Sequence, residues 1–270
     1  MIVSSLEGFI DAIQPFENVW FRGVASPKYE LKPRVHWDKI DKSCEENLIY
    51  GFLRDQFRYH TSSNNNPWYM YALMQHHGLP TRLLDWSKSP LVALYFALTQ
   101  NKIDEADNHR VWILNPYELN NYFTGNSNVF CPSQMSNAMR YIEREVYFDA
   151  ENNEVKRSEL GKLKLLFDSY LPSNLVDSLP HRLVAHPFAI ETIPLDARMS
   201  AQQSVFSIHG TDDRSLDKLL DNNILTHVDI DVHSNTKILN QLNKIGITED
   251  TIFCDLDSLA KRLRREQNLK

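Results

Sequence analysis

The chain has 270 residues, 42% of them hydrophobic and 24% charged, so a disordered or fibrous class is excluded and a sizeable core can form without metal or disulfide staples. A formal net charge of -6 argues against a broad, sequence-independent grip on nucleic acid, which needs many lysines and arginines to displace counterions. No apolar run reaches the length of a membrane span and the first residues lack a secretory pattern, so a soluble, cytoplasmic chain is expected.

In chain order, Ser5 precedes Leu6, Phe9, Ile10 and Ile13 at helical spacing, which predicts a capped first helix. Residues 18–24 are large and β-branched and read as a strand that ends in Gly23 and the Ser26-Pro27 turn. Leu48, Ile49, Phe52, Leu53, Gln56 and Phe57 predict an amphipathic helix over 45–60. A second helix over 68–77 stops at Gly78 and Pro80. Residues 81–86 read as strand or extended link, and Ser89-Pro90 opens another helix. Residues 110–114 predict a strand, 120–131 a loop, and 188–193 and 204–208 two strands around the polar stretch 196–203. The tail reads as strand 227–232, helix 235–245 and helix 256–265, while 133–175 is the least readable segment. The fold class expected is α+β, with mixed, mainly antiparallel sheet flanked by helices and a helix-rich first half.

Cys44, Cys131 and Cys254 are too far apart for a disulfide framework or a zinc ribbon and read as small buried hydrophobes or plain thiols. Two adjacent histidines, His76 and His77, diverge on a helix and do not make a metal site, so no metal is expected. The basic run from Lys261 to Arg265 suits a helix C-terminus better than a nucleic-acid surface. Phosphate-loop, dinucleotide-turn and nucleophile-elbow glycine patterns are missing from the sequence.

Three separated segments resemble the FRG-domain family. They are Trp20-Phe21-Arg22-Gly23, then Gln75 to Trp86 running into Ala93-Leu94-Tyr95-Phe96-Ala97, and the stretch from Arg198 to Phe206 around Gln202-Gln203, with a looser match at Phe253-Cys254-Asp255-Leu256. The resemblance implies a single FRG-like domain over 1–270, with core motifs over 18–100 and 186–210 and a C-terminal strand and helix segment over 224–268. The order of parts is also similar to that of ADP-ribosyltransferases, which would make NAD the substrate. Arg22 would then grip phosphates or adenine ribose by bidentate bonds, unless it pairs with Asp85 instead. Gly23 would let backbone approach the ligand. His76, Thr81, Arg82, Asp85, Trp86 and Ser87 would surround the cleft, with Trp86 either stacking on a planar ring or filling core, and His76 either donating to the ligand or satisfying helix carbonyls.

At the third position that pattern wants a glutamate, and the sequence offers Gln202, Gln203 and Ser204. Gln203 can bond a ribose but carries no charge for a cationic transition state, which leaves Glu191 as a substitute. The function expected is nucleotide binding of an NAD-like ligand, as a transferase or NAD glycohydrolase with a protein acceptor. The alternatives are a non-catalytic ligand- or protein-binding module and, less favoured by charge, a bacterial toxin or defence effector acting on nucleic acid.

Overall fold

Alternating and helical patterns become strands and helices in the order expected from sequence. The computed structural model describes residues 1–59, 64–100, 103, 104, 106–135, 147, 148, 154–156, 159–175, 177, 179 and 184–267. The helices are α1 (Leu6–Ile13), α2 (Arg34–Trp37), α3 (Lys42–Asp55), α4 (Pro67–His76), α5 (Pro90–Thr99), α6 (Pro116–Thr124), α7 (Glu159–Asp168), α8 (Ala197–Ala201), α9 (Leu216–Leu219), α10 (Asn235–Lys244), α11 (Glu249–Phe253) and α12 (Leu256–Glu266). The strands are β1 (Ile2–Val3), β2 (Trp20–Val24), β3 (Leu83–Ser87), β4 (His109–Leu114), β5 (Tyr147–Phe148), β6 (Glu154–Lys156), β7 (Phe188–Ile190), β8 (Ser204–Ile208) and β9 (Leu225–Ile230). Caps act as sequence suggests: Ser5 Oγ accepts from the Gly8 amide, and Ser89 caps α5 with Pro90 at its first position.

Seven strands form one sheet in the order β1-β9-β4-β2-β3-β8-β7, with β5 and β6 apart as a hairpin pair. All neighbours in the large sheet are antiparallel except β1 and β9. This is the mixed, mainly antiparallel α+β class. The sheet is not evenly laced. β2 pairs with β4 from Trp20 to Val24, and β3 pairs with β8 from Leu83 to Ser87, yet Phe21 opposite Ser87 is the only register pair between β2 and β3 among the described residues.

Side-chain alternation sorts the core around this seam. Val111, Ile113, Val228, Ile230 and Phe21 face α1, α5 and α10 in one cluster. Leu83, Phe206, Ile208 and Phe188 face α4 and α7 in a second. Trp20, Leu84, Trp86, Trp112, Leu114 and Val205 make a third cluster that draws on both half-sheets. The apolar layer is therefore divided at the seam on one face of the sheet and continuous across it on the other.

Local departures from sequence expectation have physical causes. The segment expected as loop from 120 begins inside α6, because Asn115 caps that helix and Gly125, at φ 68°, ends it. Asn120 is fully buried there: its amide donates to the Ala189 carbonyl at 3.0 Å and accepts from the Ala189 amide at 2.7 Å, standing in for a strand partner beside β7. The polar stretch 196–203 contains helix α8, capped by Asp196. Cys44 and Cys254 are exposed rather than buried, and all three cysteines are free. The basic run of α12 is matched to acids of α11, Arg262 to Asp250 at 2.8 Å and Arg265 to Glu249 at 2.7 Å. No helix among the described residues is long and apolar enough to cross a membrane.

Behind β3, Trp86 donates to Ser207 Oγ at 3.1 Å, which in turn meets His209 Nε2 at 3.0 Å. His209 is 1% exposed, and burial, helped by nearby His36 and Arg22, pushes its pKa down to about 3. The unfolded chain therefore binds the proton first as pH falls. Stability from this group is whole above about 6.5 and declines toward pH 3, by about 1.4 kcal/mol per pH unit inside that window. Urea unfolding of the parent and of His209→Gln across pH 7.5 to 4.5 tests this: the difference between the two curves is expected to slope, and a flat difference would refute it.

Candidate functional site

The seam between β2 and β3 opens into a cleft. Two strands that splay after one pair leave inward-facing carbonyls without ladder partners, and such groups must be satisfied otherwise. Arg22, on β2, does this by donating from Nη1 to the Asp85 carbonyl at 2.6 Å. The same nitrogen lies 3.8 Å from Asp85 Oδ2. Burial among the walls lowers the Arg22 pKa from its usual value while Asp85 opposes the shift. The Asp85 side chain is 53% exposed, so the pair is an open one lining the cleft, not a sealed core pair.

Gln75, on the last turn of α4, ties the network to the scaffold. Its Nε2 donates to Asp85 Oδ2 at 2.8 Å, and its Oε1 accepts from Thr81 Oγ1 at 2.6 Å. Thr81 is fully buried and fixes the orientation of that amide. The chain Thr81, Gln75, Asp85, Arg22 spans the opening of the sheet.

On one side of this bridge lies a cavity of about 310 Å³, walled by Phe21, Trp86, Phe96 and Phe206 and bearing Arg22, His76, Asp85, Ser87, Arg198 and Gln202. On the other lies a shallower hollow of about 590 Å³, rimmed by Tyr29, Lys32, Arg34 and Trp37. The two share Arg22, Gln75, Gly78, Asp85 and Gln100. Among the residues lining the smaller cavity, Asp85 is the only carboxylate and Arg22 and Arg198 are the arginines. His76 Nε2 lies 2.8 Å from Asp196 Oδ2; burial still outweighs that partner and lowers the histidine's pKa.

Of the residues singled out in sequence, Arg22, Gly23, His76, Asp85, Trp86 and Ser87 meet at this cavity. Others do not. Arg82 is 1% exposed and donates from Nε to Glu45 at 2.8 Å and from Nη2 to the Tyr170 carbonyl at 2.6 Å. Its place is the core under α3 and α4. Gln203 is exposed at φ 47°, and its carbonyl accepts from the Lys88 amide at 3.1 Å. That turn directs Gln202 to the cavity instead. Glu191 pairs with Lys88 at 2.6 Å and lines a separate surface groove. Gly23 serves helix packing: a Cβ there would lie 1.8 Å from the Ala93 carbonyl oxygen. Trp86, 3% exposed and bonded to Ser207, is core with one edge in the cavity wall.

Sequence assigns Gln75, Phe96 and Arg198 no role at the site, and of the two glutamines offered at the third position Gln202, not Gln203, lines the cavity. Gln75 and Phe96 sit inside motif segments, and their neighbourhood to β3 was the available signal. Arg198 opens the third motif segment, but its place in the cavity beside Arg22 depends on a long-range contact that the segment itself does not encode. Among the described residues no group of three or more His, Cys, Asp or Glu side chains is placed to hold a metal ion.

A mixed sheet with a ligand-sized opening at its seam is the class of architecture these elements define. Residues 17–106 match the family model of the FRG domain. The chain thus carries an FRG domain, which contains β2, α4, β3 and α5, while Arg198 and Gln202 lie beyond the matched residues. No curated protein and no solved structure matches the chain.

Proposed function

We propose that the chain binds an NAD-like nucleotide across the β2/β3 seam. The observation that carries this reading is the convergence of an arginine, a half-exposed carboxylate and aromatic walls on one cavity, continuous with a second hollow. Each group suits a different part of such a ligand. Arg22 is a rigid fork of donors for phosphate oxygens. Asp85 is an acceptor for ribose hydroxyls. Phe21, Phe96 and the edge of Trp86 offer apolar surface to a planar ring. Volumes of this order are typical of small-molecule sites.

Transfer or hydrolysis at the nicotinamide ribose is the finer form of this reading. Its support is Asp85, the one carboxylate available there to stabilise a cationic sugar as nicotinamide leaves. A module that binds without reacting is the second reading, favoured by the bonds that Gln75 and Arg22 already make to Asp85.

Calorimetric titration of the full chain with NAD, paired with a nicotinamide-release assay, separates these. Arg22→Gln is expected to weaken NAD binding by about tenfold or more, the worth of a charge-assisted bond. Asp85→Asn is expected to lower release by about a hundredfold with binding largely kept, as for loss of one electrostatic stabiliser. Binding without release in the parent leaves the recognition module, and no NAD binding by the parent overturns the proposal.

A further inference from the structure

Arg198 stands out among the cavity residues by what it lacks. Its Nε is buried without a hydrogen-bond partner, and no carboxylate pairs with its guanidinium within salt-bridge distance among the described residues. A buried donor left unmatched is costly unless something satisfies it. The guanidinium is nevertheless held in place: its carbon sits 4.9 Å from the centre of the Phe253 ring, a cation–π geometry. Phe253 in turn meets Phe96 edge-on at 5.9 Å, and Phe96 is part of the cavity wall.

The surrounding acids have other hydrogen-bond partners, and of these Asp255 still feels the Arg198 charge. Asp196 caps α8 through the Met199 amide at 2.8 Å and pairs with His76. Asp255 accepts from the Ser258 amide at 2.7 Å. Gln202 Nε2 donates to the Ile252 carbonyl at 3.3 Å, which fastens α8 to α11. A preset cation with open donors therefore faces the same cavity as Arg22, supplied by α8 and steadied by the C-terminal helices.

We infer that Arg22 and Arg198 together form a diphosphate subsite, so that the segment around 198–202 and Phe253 completes a cleft begun by the FRG domain. This deepens the nucleotide reading and rests on it for the organic part of the ligand, but the anion subsite stands on its own geometry. Two guanidiniums from separate elements suit a group with two linked phosphates better than a single phosphate, since each fork has its own oxygens to engage.

The test uses inorganic pyrophosphate and inorganic phosphate as probes on the full chain, followed by titration calorimetry and thermal melts. Pyrophosphate is expected to bind and to raise the melting temperature, with phosphate at least tenfold weaker, the ratio one additional charge-assisted contact provides. Arg198→Gln is expected to lose about tenfold in pyrophosphate affinity and Arg198→Lys to recover part of it. Phe253→Leu keeps an apolar side chain, removes the ring and is expected to weaken pyrophosphate by a few-fold. Circular dichroism of each variant checks folding. Unchanged pyrophosphate affinity in Arg198→Gln, or no pyrophosphate binding by the parent, overturns the subsite. If pyrophosphate binds through both arginines while NAD does not, the subsite stands and the NAD reading fails. If NAD binds through Arg22 alone, the reverse holds.

Discussion

Replacing Glu45 by alanine is expected to destabilise the chain by about 3–5 kcal/mol, the usual result of stranding one partner of a buried ion pair. Glu45 is 3% exposed and Arg82 1%. Glu45 Oε1 accepts both from Arg82 Nε at 2.8 Å and from the Tyr71 hydroxyl at 2.6 Å, and Tyr71 in turn accepts from the Arg82 amide at 2.8 Å. Arg82 Nη1 already has no partner, so the guanidinium has little left to lean on once the carboxylate is gone. Water cannot reach it without opening the core under α3 and α4. The double replacement Glu45→Met with Arg82→Met removes both charges and should recover much of the loss, because the penalty comes from the stranded ion more than from the missing attraction. Guanidinium unfolding of the parent, both single variants and the double variant measures this. Near-equal midpoints for parent and Glu45→Ala would show that the pair does not hold α3 to β3.

Gly23→Ala is the second large effect. One methyl group at this position meets the Ala93 carbonyl oxygen at 1.8 Å and the Ala97 amide nitrogen at 2.6 Å. Both contacts are helix backbone, which cannot swing aside as a side chain can. Helix α5 must lift from β2, and α5 carries Val92, Ala93, Leu94, Tyr95, Ala97 and Leu98 as buried residues. The expected cost is about 3 kcal/mol, at the upper end for overpacking, with loss of soluble protein at ordinary temperature as a visible consequence. Ala93→Gly gives no relief, because the clash is with main chain. A Gly23→Ala melting temperature within a few degrees of the parent would contradict the close approach of helix and strand.

These two residues show what sequence makes legible. Gly23 and Glu45's partner Arg82 both belong to the segments that carry the family resemblance, yet Arg82 is a core ion and Gly23 a packing gap. Elements were readable wherever a single signal dominated: α5 from its Ser-Pro start and apolar run, β8 from residues that favour strands, α1 from its cap. Roles at the site were less readable because they depend on contacts far apart in the chain. Gln202 and Gln203 are adjacent and alike, and only a turn at φ 47° on a non-glycine residue decides which one faces the cavity. Arg82 and Arg22 are both arginines near motif ends, and only the distance of Glu45 from one and Asp85 from the other distinguishes scaffold from site. Arg198 and Phe253 are separated by most of the C-terminal part of the chain, and no periodicity links them.

The single rung between β2 and β3 has a further meaning for how such a protein changes over time. One wall of the cleft rests on α5 and the β4 side of the sheet, the other on α4 and the β8 side, and the two supports share little packing where the cleft opens. Substitutions that remodel one wall are thereby insulated from the foundations of the other. Ligand preference can drift by independent steps on either bank, while the continuous layer beneath, from Trp20 through Trp86 to Val205, keeps the two banks facing each other.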